Sequence, residues 1–151
     1  MEEFSNEFSN EFNNEMKMEF LAQSTNEGFA RVAVGAFAAA LNPTVDELAD
    51  IKTSVSEAVT NCIIHGYEQK EGRIWIQCRT SACKIEISVT DTGKGIKDIE
   101  QAREPLFTTK PELERSGMGF AFMEAFMDEV EVISEPGKGT CVIMTKTLEV
   151  L

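Results

Sequence analysis

The chain has 151 residues, the size of one ordinary domain. A domain of this length buries about 68–70% of its unfolded surface and needs neither disulfides nor a structural metal. With 26 acidic against 14 basic residues its formal charge is −12, so its surface repels phosphate backbones and no direct nucleic-acid partner is expected. No apolar run approaches the roughly 20 residues of a transmembrane helix, and the N-terminus lacks a signal peptide's basic-then-apolar start. No membrane contact is expected. The cysteines Cys62, Cys78, Cys83 and Cys141 and the single histidine His65 show no zinc or redox spacing. They read as buried, reduced thiols in a cytoplasmic protein.

Residues 1–15 repeat Asn-Glu-Phe-Ser almost without change, which places Phe4, Phe8 and Phe12 four apart. A helix would gather them into one stripe; low complexity and acidity favour a flexible tail. Residues 16–151 then form the domain. Met16 to Ala22 alternate as a half-buried strand. Ser24 and Glu27 form a capping-box pattern ahead of Phe29, Val32, Ala33, Ala36, Phe37 and Ala40 at helical spacing, with Asn42-Pro43 as the stop. Thr44 and Glu47 repeat the pattern and open a long helix striped by Leu48, Ile51, Val55, Ala58 and Cys62. Gly66 suits a left-handed cap at its end.

Residues 73–79 and 83–91 alternate around Ser81-Ala82 as a hairpin, with Ile85, Ile87, Val89 and Asp91 on one face. Residues 92–117 lack a regular period and read as a lid or binding loop. Phe122, Met123, Phe126, Met127 and Val130 mark a further helix. Residues 130–133 and 141–146 close the chain as a second hairpin. The order β-α-α-β-β-loop-α-β-β predicts an α+β fold: a two-layer α/β sandwich, its mixed, mostly antiparallel sheet covered on one face by helices.

Three groups carry chemistry. Glu57, Asn61 and His65 lie four apart on one side of the long helix, beside its apolar stripe. Asp91 ends a strand on the core-facing side, where a carboxylate needs a partner or a ligand. Asp91-Thr92-Gly93-Lys94-Gly95 then turns tightly. Arg115-Ser116-Gly117-Met118-Gly119-Phe120 opens a helix with free N–H groups suited to an anion. No Walker sequence and no protein-kinase signature occurs.

In order and spacing these groups resemble the ATP-binding domain shared by DNA gyrase, the heat-shock chaperone ATPases, histidine kinases and MutL (the Bergerat-type fold), over residues 16–147. Ser56 to Asn61, Ile64-His65-Gly66 and the run from Pro105 to Phe120 are similar to the anti-sigma-F factors of endospore-forming bacteria. The acidic Phe repeat is outside that pattern.

The resemblance implies ATP and Mg²⁺ as cofactors, with Glu57 as general base and Asn61 as the Mg²⁺ ligand. It implies that Asp91 accepts from the adenine amino group, with Gly93, Gly95 and Thr140 around the base. Gly117, Met118, Gly119 and Phe120 would offer N–H groups to the phosphates, and Thr108, Thr109, Arg115 and Ser116 would reach the terminal phosphate. The expected activity is that of a serine kinase which phosphorylates an anti-anti-sigma protein and, as a homodimer, holds a sporulation sigma factor inactive. Arg31 is either a sigma contact or half of an intrahelical pair with Glu27. The rival readings are a kinase acting on a stress sigma factor, a stand-alone ATPase and a pure nucleotide-binding module. Length argues against an ATPase with a transducer domain, and Glu57 against a module that only binds.

Overall fold

The alternating segments of the sequence pair into one sheet. The computed structural model describes residues 12–104 and 119–149. Strands β1 (Asn14–Leu21), β2 (Arg73–Ser81), β3 (Lys84–Asp91), β4 (Glu129–Glu135) and β5 (Gly139–Thr147) lie in the order β1-β2-β3-β5-β4. Every neighbouring pair is antiparallel, so the described sheet is more uniform than the mixed one expected. The reason is the long connection after β3. It sets β4 at the sheet edge, and β5 turns back from it into the gap beside β3. The register aligns Phe20, Ile74, Asp91, Thr140 and Ser134 across all five strands. Asp91 and Thr140 are thereby neighbours at one end of the sheet.

Ile74, Ile76, Cys78, Ile85, Ile87 and Val89 bury the predicted face of the central hairpin. They pack in one core with residues of helices α1 (Thr25–Ala39), α2 (Val45–Asn61) and α4 (Gly119–Phe126). A single turn, α3 (Ile99–Ala102), follows the loop after β3. None of the described helices is long and apolar enough to cross a membrane.

The two helix starts behave differently. Glu47 N donates to Thr44 Oγ1 at 3.1 Å and Thr44 N to Glu47 Oε1 at 2.9 Å, so the second capping box is complete. Ser24 has helical backbone angles and makes no side-chain cap. Its partner Glu27 instead accepts from Ser56 Oγ at 2.6 Å and pairs with Arg31 at 3.4 Å. The buried face of α1 also differs from the expected one. Ala30, Val34, Gly35 and Ala38 face inward, while Phe29 and Val32 are each 60% exposed. Apolar residues stand on both sides of this helix, and the small ones permit the closer approach.

The strand at the N-terminus begins two residues before the expected boundary of the tail. Asn14 and Glu15 belong to β1, Asn13 N donates to Thr80 O, and the Phe12 ring lies over the Arg79 guanidinium at 5.3 Å. Phe4 and Phe8 lie outside the described residues. All four cysteines are free; Cys62 and Cys78 are buried, whereas Cys83 and Cys141 are only half-buried.

Because Thr44 satisfies an N–H that otherwise has no partner, Thr44→Ala should lower stability by about 1 kcal/mol in urea denaturation. An unchanged midpoint would show that the cap bond adds nothing beyond solvent.

Candidate functional site

At the end of the sheet where β3 stops, a cavity of about 460 Å³ opens between α2, α4 and the β4–β5 turn. That volume suits a small organic ligand. Asn61, His65, Asp91, Gly119, Phe120 and Thr140 are among the residues lining it. Two features of the backbone bring them together. The end of α2 passes into a π-helical turn, Cys62–Gly66, closed by Tyr67 N donating to Cys62 O at 2.9 Å. Such turns mark sites where a helix is locally redirected. The long connection then returns the chain as α4, whose first residue Gly119 packs against the Asn61 amide. A Cβ on Gly119 would stand 3.2 Å from both amide heteroatoms.

Asp91 is the electrostatic centre of the cavity. It is 3% exposed. Burial raises its pKa above the ordinary carboxylate value, opposed by hydrogen bonds from Gly93 N, the Cys62 thiol and Thr140 N. The Gly93 N–H reaches Oδ1 at 2.8 Å. Beside it, Ser134 Oγ accepts from Ile96 N at 2.7 Å, lies 2.9 Å from Gly139 O as a donor and 2.9 Å from Thr140 Oγ1. This network ties the Thr140 hydroxyl to the loop after β3.

The Asp-x-Gly-x-Gly loop is threaded between the π-turn and the second hairpin. Thr92 N donates to Tyr67 Oη at 2.8 Å, Lys94 N to Gly66 O at 2.9 Å, and Gly137 N to Lys94 O at 2.6 Å. Gly93 is required by proximity, since a Cβ there would lie 2.1 Å from Gly66 O. Gly66 does not form the left-handed cap expected of it, because its φ is not positive. It is small because Asp91 is adjacent: a Cβ would meet Asp91 Oδ2 at 2.8 Å.

Of the sequence-predicted residues, Asn61, Asp91, Gly95, Gly119, Phe120 and Thr140 line the cavity, and Gly93 touches it through Asp91. Glu57 is half-buried one turn before Asn61 and is not among the lining residues. Thr108, Thr109, Arg115, Ser116, Gly117 and Met118 lie outside the described residues. Sequence reasoning missed Cys62, taken as part of the apolar stripe, together with Gly66 and Ser134. Only the proximity of Cys62 and Gly66 to the Glu57-Asn61 motif hinted at them. Among the described residues no group of three or more His, Cys, Asp or Glu is arranged to hold a metal ion.

Residues 20–146 match the family model described as a histidine kinase-like ATPase domain. The chain is similar to proteins named anti-sigma F factor. It is 64% identical to that of Thermoanaerobacter sp. (strain X514) over 130 residues, 86% of this chain and 91% of that protein. The Clostridium perfringens (strain SM101) protein is 62% identical over 134 residues, 87% of this chain and 95% of that one. The Halalkalibacterium halodurans protein is 60% identical over 132 residues, 87% and 90% of the two chains. In fold it is similar to the crystal structure of the RsbU and RsbW domains of a Mycobacterium tuberculosis protein. The TM-score there is 0.66 at 21% identity, over 90% of this chain and 32% of that one.

Two glycine substitutions separate proximity from backbone strain. Gly93→Ala drives a Cβ into backbone and should cost about 2–3 kcal/mol. Gly137→Ala meets nothing within 4 Å and pays only for its positive φ of 81°, about 1 kcal/mol. Equal losses in urea denaturation would show that the loop yields at Gly93.

Proposed function

Because this chain belongs to the anti-sigma F factor family and carries a histidine kinase-like ATPase domain, we propose that it is an ATP-dependent serine kinase. In this reading it phosphorylates an anti-anti-sigma protein and holds a sporulation sigma factor inactive in the cytoplasm. The observation that carries the nucleotide site is the buried Asp91 carboxylate at the wall of a 460 Å³ cavity, with Asn61 and the start of α4 also lining it.

Asp91 accepts a hydrogen bond from the adenine amino group, a charge-assisted bond with a neutral donor. The backbone at Gly95 and the Thr140 hydroxyl flank the base. The phosphates extend toward Gly119 and Phe120 at the described start of α4, where the helix dipole favours an anion. By family resemblance Gly117, Met118, Ser116, Thr108 and Thr109 are assigned to phosphate binding, and Arg115 to neutralising charge on the terminal phosphate.

The donor set fits Mg²⁺ as an ion carried in by the nucleotide. Asn61 would hold it through one hard amide oxygen, with phosphates and water as the remaining ligands. When bound, the ion neutralises phosphate charge.

Transfer forms the bond from the substrate serine Oγ to the γ-phosphorus and breaks the bond from phosphorus to the β–γ bridging oxygen. ADP leaves, and Glu57 takes the serine proton. Glu57 stands one turn from Asn61, so a single helix presents base and metal ligand together.

The exposed Phe29 and Val32 on α1 support a partner-binding face, which in this reading serves the homodimer. Arg31 pairs with Glu27 and is 42% exposed, so it remains available to a sigma factor.

Glu57→Gln keeps the side-chain shape and removes the base. Transfer of labelled phosphate to the serine substrate should fall by about 10²–10⁴-fold, while ATP affinity and sigma capture persist. Transfer at the unaltered rate would remove Glu57 from the chemistry.

A further inference from the structure

Strands β2 and β3 stop pairing at Ile74 and Asp91. The next residues in register, Arg73 and Thr92, are joined through a side chain from the end of the π-turn. Tyr67 Oη accepts from Thr92 N at 2.8 Å and donates to Arg73 O. Thr92 Oγ1 stands 3.2 Å from the same oxygen. The one phenolic proton is used on Arg73 O, so Thr92 Oγ1 is the donor in that contact. The ring is held as well. It packs against the core, and a Cβ on Gly72 would stand 2.5 Å from its carbons. Tyr67 N closes the π-turn by donating to Cys62 O at 2.9 Å.

We infer that Tyr67 is a positioning residue for nucleotide recognition: its hydroxyl bridges the open end of the β2–β3 ladder and tethers the peptide that follows Asp91, which holds the carboxylate in place for the amino group of the base. This rests on the ATP reading above. The tethered N–H is that of Thr92, and the N–H after it, of Gly93, is the one that reaches Asp91 Oδ1 at 2.8 Å. Tyr67 thus fixes the backbone between the carboxylate and its own donor. Tyr67 is not among the residues lining the cavity, whereas Asp91 is. Its hydroxyl therefore acts on a ligand through Asp91. Without that hydroxyl, Thr92 N and Arg73 O lose their shared partner, and the loop after β3 loses its tie to β2.

The test is calorimetric titration of the whole chain and of its Tyr67→Phe variant with two ligands, ATP and purine riboside triphosphate, the same nucleotide without the amino group. Tyr67→Phe keeps the packed ring and removes only the hydroxyl. ATP should bind the variant about three- to tenfold more weakly, the range for one hydrogen bond. The analogue has no amino group for Asp91 to receive, so its affinity should change by less than about twofold. In an Asp91→Asn background, Tyr67→Phe should weaken ATP no further, as a shared interaction requires. Unchanged ATP affinity in Tyr67→Phe, or an equal loss for both ligands, would overturn the inference and leave Tyr67 as a support of the fold. An unsubstituted chain that binds the two ligands equally would overturn the adenine reading and the inference with it. An unsubstituted chain that prefers ATP, alongside a Tyr67→Phe protein with the same preference, would overturn only the role of Tyr67.

Discussion

A carboxylate buried at the end of β3 sets the local architecture of this protein. Asp91 is desolvated, and desolvation opposes its charge. Hydrogen bonding, first from Gly93 in the loop that follows it, opposes part of that cost. Each donor must come close, and the chain is narrowed to allow it. A Cβ at Gly66 would meet the carboxylate itself, and one at Gly139 would lie 2.2 Å from the Asp91 carbonyl oxygen. Glycines spread along the sequence thus serve the close packing around one residue.

That arrangement fixes where the chemistry can occur. α2 carries Asn61 against the first residue of α4 and Glu57 a turn earlier. In the proposed reading, a ligand anchored by its base at Asp91 extends toward the start of α4, where a helix dipole favours an anion. The core beneath α2 includes Ile51, Val55, Ile76 and Ile87.

Much of this was legible from local patterns. Strand alternation placed Asp91 on the core face, because a period of two admits no other assignment once Ile85, Ile87 and Val89 point inward. The Thr44 box was read correctly because its backbone angles there are extended. Ser24 carries the same motif with helical angles, so its hydroxyl cannot reach back; sequence spacing does not encode that difference. The face of α1 was misread because Phe29 and Val32 outweigh Ala30 and Ala38 in hydrophobicity, whereas close helix packing selects for small size. Cys62 was read only as a stripe residue and Gly66 only as a cap; the π-turn interrupts the helical period and sets both beside the cavity. Their roles exist only once β3 and α2 are brought into contact.

The central claim is that Asp91 reads the amino group of an adenine base. Calorimetry comparing ATP with purine riboside triphosphate, which lacks only that amino group, tests it most directly. The loss of one hydrogen bond to a buried charge predicts that the analogue binds about ten- to a hundredfold more weakly. Equal affinity for the two nucleotides would contradict the account and leave the buried carboxylate of Asp91 without its assigned ligand.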